Sequence, residues 1–141
     1  MEQRLSLVTL GVASLEASRA FYEALGWRPS AASQGDVVFF QLNGLAFALY
    51  PHHLLAEDAR IPVAAPGFAR VTLAHNCRSR EAVDETFAQA LAAGARALKP
   101  PEEAVWGGYS GYFADPDGHV WELAHNPHFP LDPAGNLSLP A

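Results

Sequence analysis

Cysteine is almost missing from this chain. The single thiol, Cys77, excludes an intrachain disulfide framework, which needs pairs. Lysine is equally scarce, with Lys99 alone of its kind. Lys and Arg together number 9 against 15 Asp and Glu, a formal net charge of −6 at pH 7, and no basic cluster occurs. Nucleic-acid binding rests on neutralising phosphates with such clusters, so it is not expected. Long hydrophobic runs are also lacking. No segment approaches the roughly 20 apolar residues of a membrane helix, so no membrane partner is expected. The opening MEQRLSL carries no apolar run behind a basic stretch, so no secretory signal is expected and the cytoplasm is the expected location.

What is present is an ordinary globular mixture: 141 residues, 50% hydrophobic and 17% charged. That is enough chain for a single domain with a real core.

Two segments repeat one another. LSLVTLGVASLEASRAFYEALGW (5–27) and ARVTLAHNCRSREAVDETFAQALAAGA (69–95) each open with VTL in a β-branched run, pass a polar turn with serine and become helical. Ala17, Phe21, Ala24 and Leu25 have the same spacing as Val83, Phe87, Ala90 and Leu91, which predicts one apolar stripe on each helix. Ser14 and Ser79 are expected N-caps, with Glu16 and Glu81 in the first turn. Gly26 and Gly94 stand where a C′ glycine ends a helix. In the first half VVFFQL (37–42) and LAFALY (45–50) flank Asn43-Gly44, a hairpin signal. In the second, SGYFA (110–114) and HVWELAH (119–125) flank Asp115-Pro116-Asp117-Gly118, with the strand-like ARAL (95–98) before them. The two acids of that turn serve turn geometry, not catalysis.

Each half thus reads β-α-β-β-β. Module 1 covers about 5–50, a Pro/Ala-rich linker 51–67, module 2 about 68–125, and an extended tail 126–141.

The two repeats, the VTLGV…LEAS…FYEALGW opening and the FADPDGHVWEL close resemble the vicinal oxygen chelate superfamily. That family includes glyoxalase I, extradiol dioxygenases, and bleomycin- and fosfomycin-resistance proteins. The resemblance covers residues 5 to about 125 and implies an α+β fold. Two paired βαβββ modules would form a curled, cup-shaped mixed sheet with helices on its outer face and a ligand inside. It also implies a homodimer.

In metal-using members four cup positions, one per strand, carry His or Glu. By resemblance they fall here on Leu7, Ala48, Arg70 and Glu122. Only Glu122 keeps a usable donor; leucine and alanine have none, and arginine is a permanent cation. No cofactor and no metal ligand set is therefore expected.

Strand parity puts Glu122 on one face with Val120 and Ala124, and Arg70 with Thr72 and Ala74. If the two faces form one wall, Arg70 and Glu122 pair, or Arg70 grips an anionic ligand. Thr9, Thr72 and Asn76 share the expected cup. Trp106, Tyr109 and Tyr112, among Gly107, Gly108 and Gly111, form an expected ligand-facing aromatic lip, or else fill the core. Glu122 and Tyr109 are the catalytic candidates, although a phenol titrating near pKa ~10 is a poor acid at neutral pH. His75 with Cys77 reads as a buried thiol rather than a nucleophile pair. His119, His125 and His128 read as satisfied or exposed side chains.

Two functions follow as expectations. One is a bleomycin-resistance-like protein that binds a small organic molecule, anionic or aromatic, without a catalytic metal. The other is a glyoxalase-like lyase, isomerase or dioxygenase dependent on a divalent metal. A structural dimer with a filled cup is a third.

Overall fold

The computed structural model describes residues 1–141 apart from Glu2, Arg4, Ala64, Pro66, Trp106, Ser138, Pro140 and Ala141. The chain divides into two compact units, Met1–Gly67 and Phe68–Ala141.

The first unit runs β1 (Leu7–Val12), α1 (Leu15–Ala24), β2 (Val38–Gln41), β3 (Ala46–Pro51) and α2 (His52–Ala59). Its sheet has the order β1-β3-β2. β1 and β3 are parallel, with Thr9 opposite Ala48, and β2 and β3 are antiparallel. The Asn43-Gly44 turn closes the hairpin, with the Leu42 N–H donating to the Leu45 carbonyl at 2.9 Å. Gly44 supplies the positive φ, 75°, that this turn needs. α1 starts where Ser14 accepts from the Ala17 N–H. It buries Ser18, Phe21 and Tyr22. Tyr22 packs on Trp27, Phe40 and Phe47, with ring centroids 5.0–6.0 Å apart. Those side chains are the core of the unit.

The second unit runs β4 (Thr72–Asn76), α3 (Arg80–Ala92), β5 (Arg96–Glu103), β6 (Tyr109–Ala114) and β7 (Val120–His125). Its sheet order is β4-β7-β6-β5. β4 is parallel to β7 and sits at the edge, while β6 is antiparallel to both neighbours. Ser79 caps α3 by accepting from the Ala82 N–H, and Val83, Phe87 and Ala90 are buried. Across the sheet Phe113 stacks on Trp121, with planes 7° apart. Asp115 anchors the turn between β6 and β7: its Oδ1 accepts from the Asp117 and His119 N–H groups. The turn acids thus do what the sequence implies.

The fold is the mixed α+β arrangement expected, with three differences. The second unit is a full βαβββ module, but the first lacks one strand among the described residues. Between α1 and β2 only isolated bridges are found, Pro29 with Phe40 and Gln34 with Val37. Ser33 takes over there, its hydroxyl accepting from the Phe39 N–H at 2.9 Å. Second, residues 52–59 of the linker are helical. α2 has no side-chain cap, so its sequence carried no start signal. It packs on β1, where a Cβ on Gly11 would lie 3.1 Å from His52 Cβ. Third, the α1 stripe is Ser18, Phe21 and Tyr22 rather than Ala17, Phe21 and Ala24. Counted from the caps the helices agree: Ser18 and Val83 stand four residues after Ser14 and Ser79, and Tyr22 and Phe87 stand eight after. The cap sets the phase, and matching by alanines slipped it by one residue.

Candidate functional site

The two faces of the second sheet are told apart by α3. The Tyr109 hydroxyl donates to Asp84 Oδ1 of α3 at 2.9 Å, so Tyr109 and the residues of its parity, Gly111 and Phe113, face the helix. Their register partners on β7 are His125, Leu123 and Trp121. Glu122, Tyr112, Ala74 and Asn76 therefore occupy the other face. Along one row of it stand Ala74, Glu122, Tyr112 and Lys99, each directly opposite the next.

That face floors a cavity of about 630 Å³ lined by Ala74, Asn76, Glu122, Ala124, Asn126, His128, Phe129 and Leu137. The first four come from β4 and β7. The last four come from the tail, which folds back over the strands that precede it. Two features hold the tail. Asp132 makes a turn by accepting from the Asn136 N–H at 2.8 Å and from its side-chain amide at 2.9 Å. The Arg78 guanidinium donates to the carbonyls of Leu131, Asp132 and Pro133. The extended strap expected of the proline-rich tail is thus one wall of a pocket.

Glu122 is half-buried on the floor. Among the described residues no Lys or Arg forms an ion pair with it. Burial first, and then the neighbouring Glu122 carboxylate as acceptor and as charge, push the Tyr112 pKa above its ordinary value, because all three disfavour a phenolate. Lys99 lies with Nζ 6.0 Å from the centre of the Tyr112 ring and is engaged by Glu102 at 3.2 Å.

The expected Arg70–Glu122 pair does not form. Arg70 precedes β4, is exposed and has φ 61°. β4 and its register begin at Thr72, opposite Val120, two residues after Arg70. Period-2 parity does not carry through a left-handed residue outside the strand, so it could not place Arg70 on the Glu122 face. Tyr109 is the second correction: bonded to Asp84 on the helix side, with Arg80 5.8 Å from its ring centre, it is removed from the cavity floor. Gly111 is the third. A Cβ there would meet the Pro101 nitrogen at 2.8 Å, so it admits the bulged β5 backbone, not a ligand. Trp106 lies outside the described residues. Thr72 is on the sheet face of Glu122 without lining the cavity, and Tyr112 reaches it only through Glu122. Thr9, with Leu7 and Ala48, stands in the first unit. Of the expected site residues, Asn76 and Glu122 meet at the cavity. Asn126, His128, Phe129 and Leu137 were missed as lining residues; the signal in reach was Phe129 with Leu131, Leu137 and Leu139 in a proline-rich segment.

A catalytic metal would need three or more protein donors. Leu7 and Ala48 supply none and Arg70 carries a cation. Among the described residues no three His, Cys, Asp or Glu side chains converge. That donor set does not fit a catalytic divalent ion. The Cys77 thiol is pushed up in pKa by burial, which makes it a poor nucleophile.

The profile of the Glyoxalase/Bleomycin resistance protein/Dioxygenase superfamily matches residues 4–123. A glyoxalase-related enzyme from Fulvimarina pelagi has a crystal structure 38% identical to this chain, covering 99% of it and 100% of that chain, with TM-score 0.90. A glyoxalase/bleomycin resistance protein/dioxygenase from Nocardioides is 26% identical over 89% of this chain and 84% of its own, with TM-score 0.73. A lactoylglutathione lyase from Agrobacterium tumefaciens shares the fold at 20% identity and TM-score 0.67, over 89% of this chain and 96% of its own. No curated protein matches. A profile match over most of the chain, and a fold match along nearly all of it, make this chain a member of the Glyoxalase/Bleomycin resistance protein/Dioxygenase superfamily.

Proposed function

We propose that the protein binds a small organic molecule in the cup of its second unit, without a catalytic metal. The carrying observation is the 630 Å³ cavity, with apolar Ala74, Ala124, Phe129 and Leu137 set among the polar Asn76, Glu122, Asn126 and His128. Small-molecule sites are typically built so, from apolar walls with a few convergent polar groups. The poor donor set supports the absence of metal. Tyr112, its pKa raised, is a weak acid for proton transfer at neutral pH, which favours binding over acid–base chemistry.

A glyoxalase-like enzyme dependent on a divalent metal is the second reading. It is favoured by the similarity to the glyoxalase-related enzyme and by Glu122 at the carboxylate position of the closing strand. Thermal melts of chelator-treated protein with Zn, Ni, Mn or Fe(II) decide between them. A metal at about 100 times its Kd adds about 2.7 kcal/mol, or roughly 5–10 °C in a domain of this size. The binding reading expects no such shift with any of the four. A shift of that size, lost in Glu122→Ala, would replace it with the metal enzyme.

A further inference from the structure

We infer that the ligand of this cup presents a positively charged nitrogen, an amine or a guanidine, on an apolar body. The inference rests on the reading of the cavity as a binding site and names the chemistry it selects.

The argument begins with where the nearby cations go. Lys99 is engaged by Glu102 and lies over the Tyr112 ring. Arg78 donates its guanidinium to three tail carbonyls. Arg70 precedes β4 and does not line the cavity. The Glu122 carboxylate thus lines the cavity without an ion pair to any described Lys, Arg or His, although His128 shares the lining, and the Tyr112 hydroxyl is a donor beside it. A carboxylate has room for about four. Its remaining lone pairs are left to whatever enters the cavity. A half-buried charge without a counter-ion is unfavourable, and a cationic ligand offsets that where a neutral one does not. An anionic ligand would instead meet a like charge. The Asn76 and Asn126 amides can accept further N–H bonds through their oxygens. Ala74, Ala124, Phe129 and Leu137 offer apolar contact to the rest of the molecule. The anionic ligand expected from the sequence depended on Arg70, which does not line this cavity.

The test uses three probes with one phenylethyl body and different heads: phenethylamine, 2-phenylethanol and 3-phenylpropionate. Each is titrated calorimetrically at neutral pH and low salt into the full chain. The same titrations are run on Glu122→Gln and on Glu85→Gln, which removes the same charge from an exposed position on α3, outside the cavity. The amine is expected to bind at least tenfold tighter than the other two. That preference should vanish in Glu122→Gln and persist in Glu85→Gln. The ranking on the unmodified protein needs no variant, so a poorly folding Glu122→Gln leaves the test intact. Alcohol or acid binding as tightly as the amine would overturn the charge assignment while leaving the cup a binding site. An amine preference that survives Glu122→Gln would overturn the role of Glu122. No binding of any probe would overturn the binding reading itself, and this inference with it.

Discussion

Glu122 and Tyr112 face each other across two strands, and each sets the other's chemistry. The carboxylate holds the Tyr112 pKa up, because ionising the phenol would place a second negative charge beside the first and remove a donor. Glu122→Gln should therefore bring the Tyr112 titration down towards the ordinary phenol value of about 10, with burial still holding it above. Ultraviolet titration of the four tyrosines, with Tyr112→Phe to assign the transition, reads this directly. An unchanged Tyr112 titration would mean the two groups do not interact. Gly111 carries a steric prediction. Its missing Cβ makes room for backbone, the Pro101 nitrogen and the Lys99 carbonyl, which cannot rotate away. Gly111→Ala should cost about 1–3 kcal/mol of stability, a fall in Tm of several degrees in a domain of this size. A melt within one degree of the parent would refute that packing account.

At the scale of elements, local signals were legible and remote ones were not. Serine caps, the Asn-Gly hairpin and the Asp-Pro-Asp-Gly turn act through neighbours within four residues, and the sequence shows each of them. The phase of α1 was lost because Ala17 and Ala24 resemble core residues in type yet lie exposed. α2 and the tail wall were illegible for a different reason. Both are held by contacts from far along the chain: His52 Nδ1 to the Val12 carbonyl at 3.1 Å, and Arg78 to residues 131–133. The tail turn also responds to acid. Its bonds from Asn136 hold Asp132 below the ordinary aspartate range. A depressed folded-state pKa means the stabilisation is present above the ordinary value, about 3.9, and is lost as pH falls through the folded value. The Asn136 amide resonance should move as pH drops below about 4, and Asp132→Asn should abolish that step. A flat response between pH 2 and 5 would show that Asp132 does not hold the turn.

For the whole molecule, the family was legible because its opening and closing motifs are contiguous stretches of sequence. The site was half legible: period-2 parity placed Glu122 and Asn76 on one face, but the strand begins only at Thr72, so parity said nothing of Arg70. No helix among the described residues is long and apolar enough to cross a membrane. The homodimer expected from the family remains a proposal, supported by strand edges. β1 and β4 each lie at the edge of their own sheets, and beside them Leu7, Phe68 and Val71 are 44%, 69% and 62% exposed. Unpaired edges with apolar neighbours invite strand addition or burial. Sedimentation equilibrium at micromolar concentration should give about twice the 15.1 kDa chain mass, and Val71→Lys should shift it to one. A parent protein that sediments as a monomer would remove the proposal.

The family profile stops at residue 123, and five of the eight residues lining the cavity lie after it, at Ala124, Asn126, His128, Phe129 and Leu137. The shared fold and most of this cavity's wall are thereby written in different stretches of the chain. Changes after residue 125 can redraw the pocket without disturbing a strand or helix. On the proposed binding reading, residues 126–141 would tune what the cup holds while Glu122 and Asn76 on the floor stay the same.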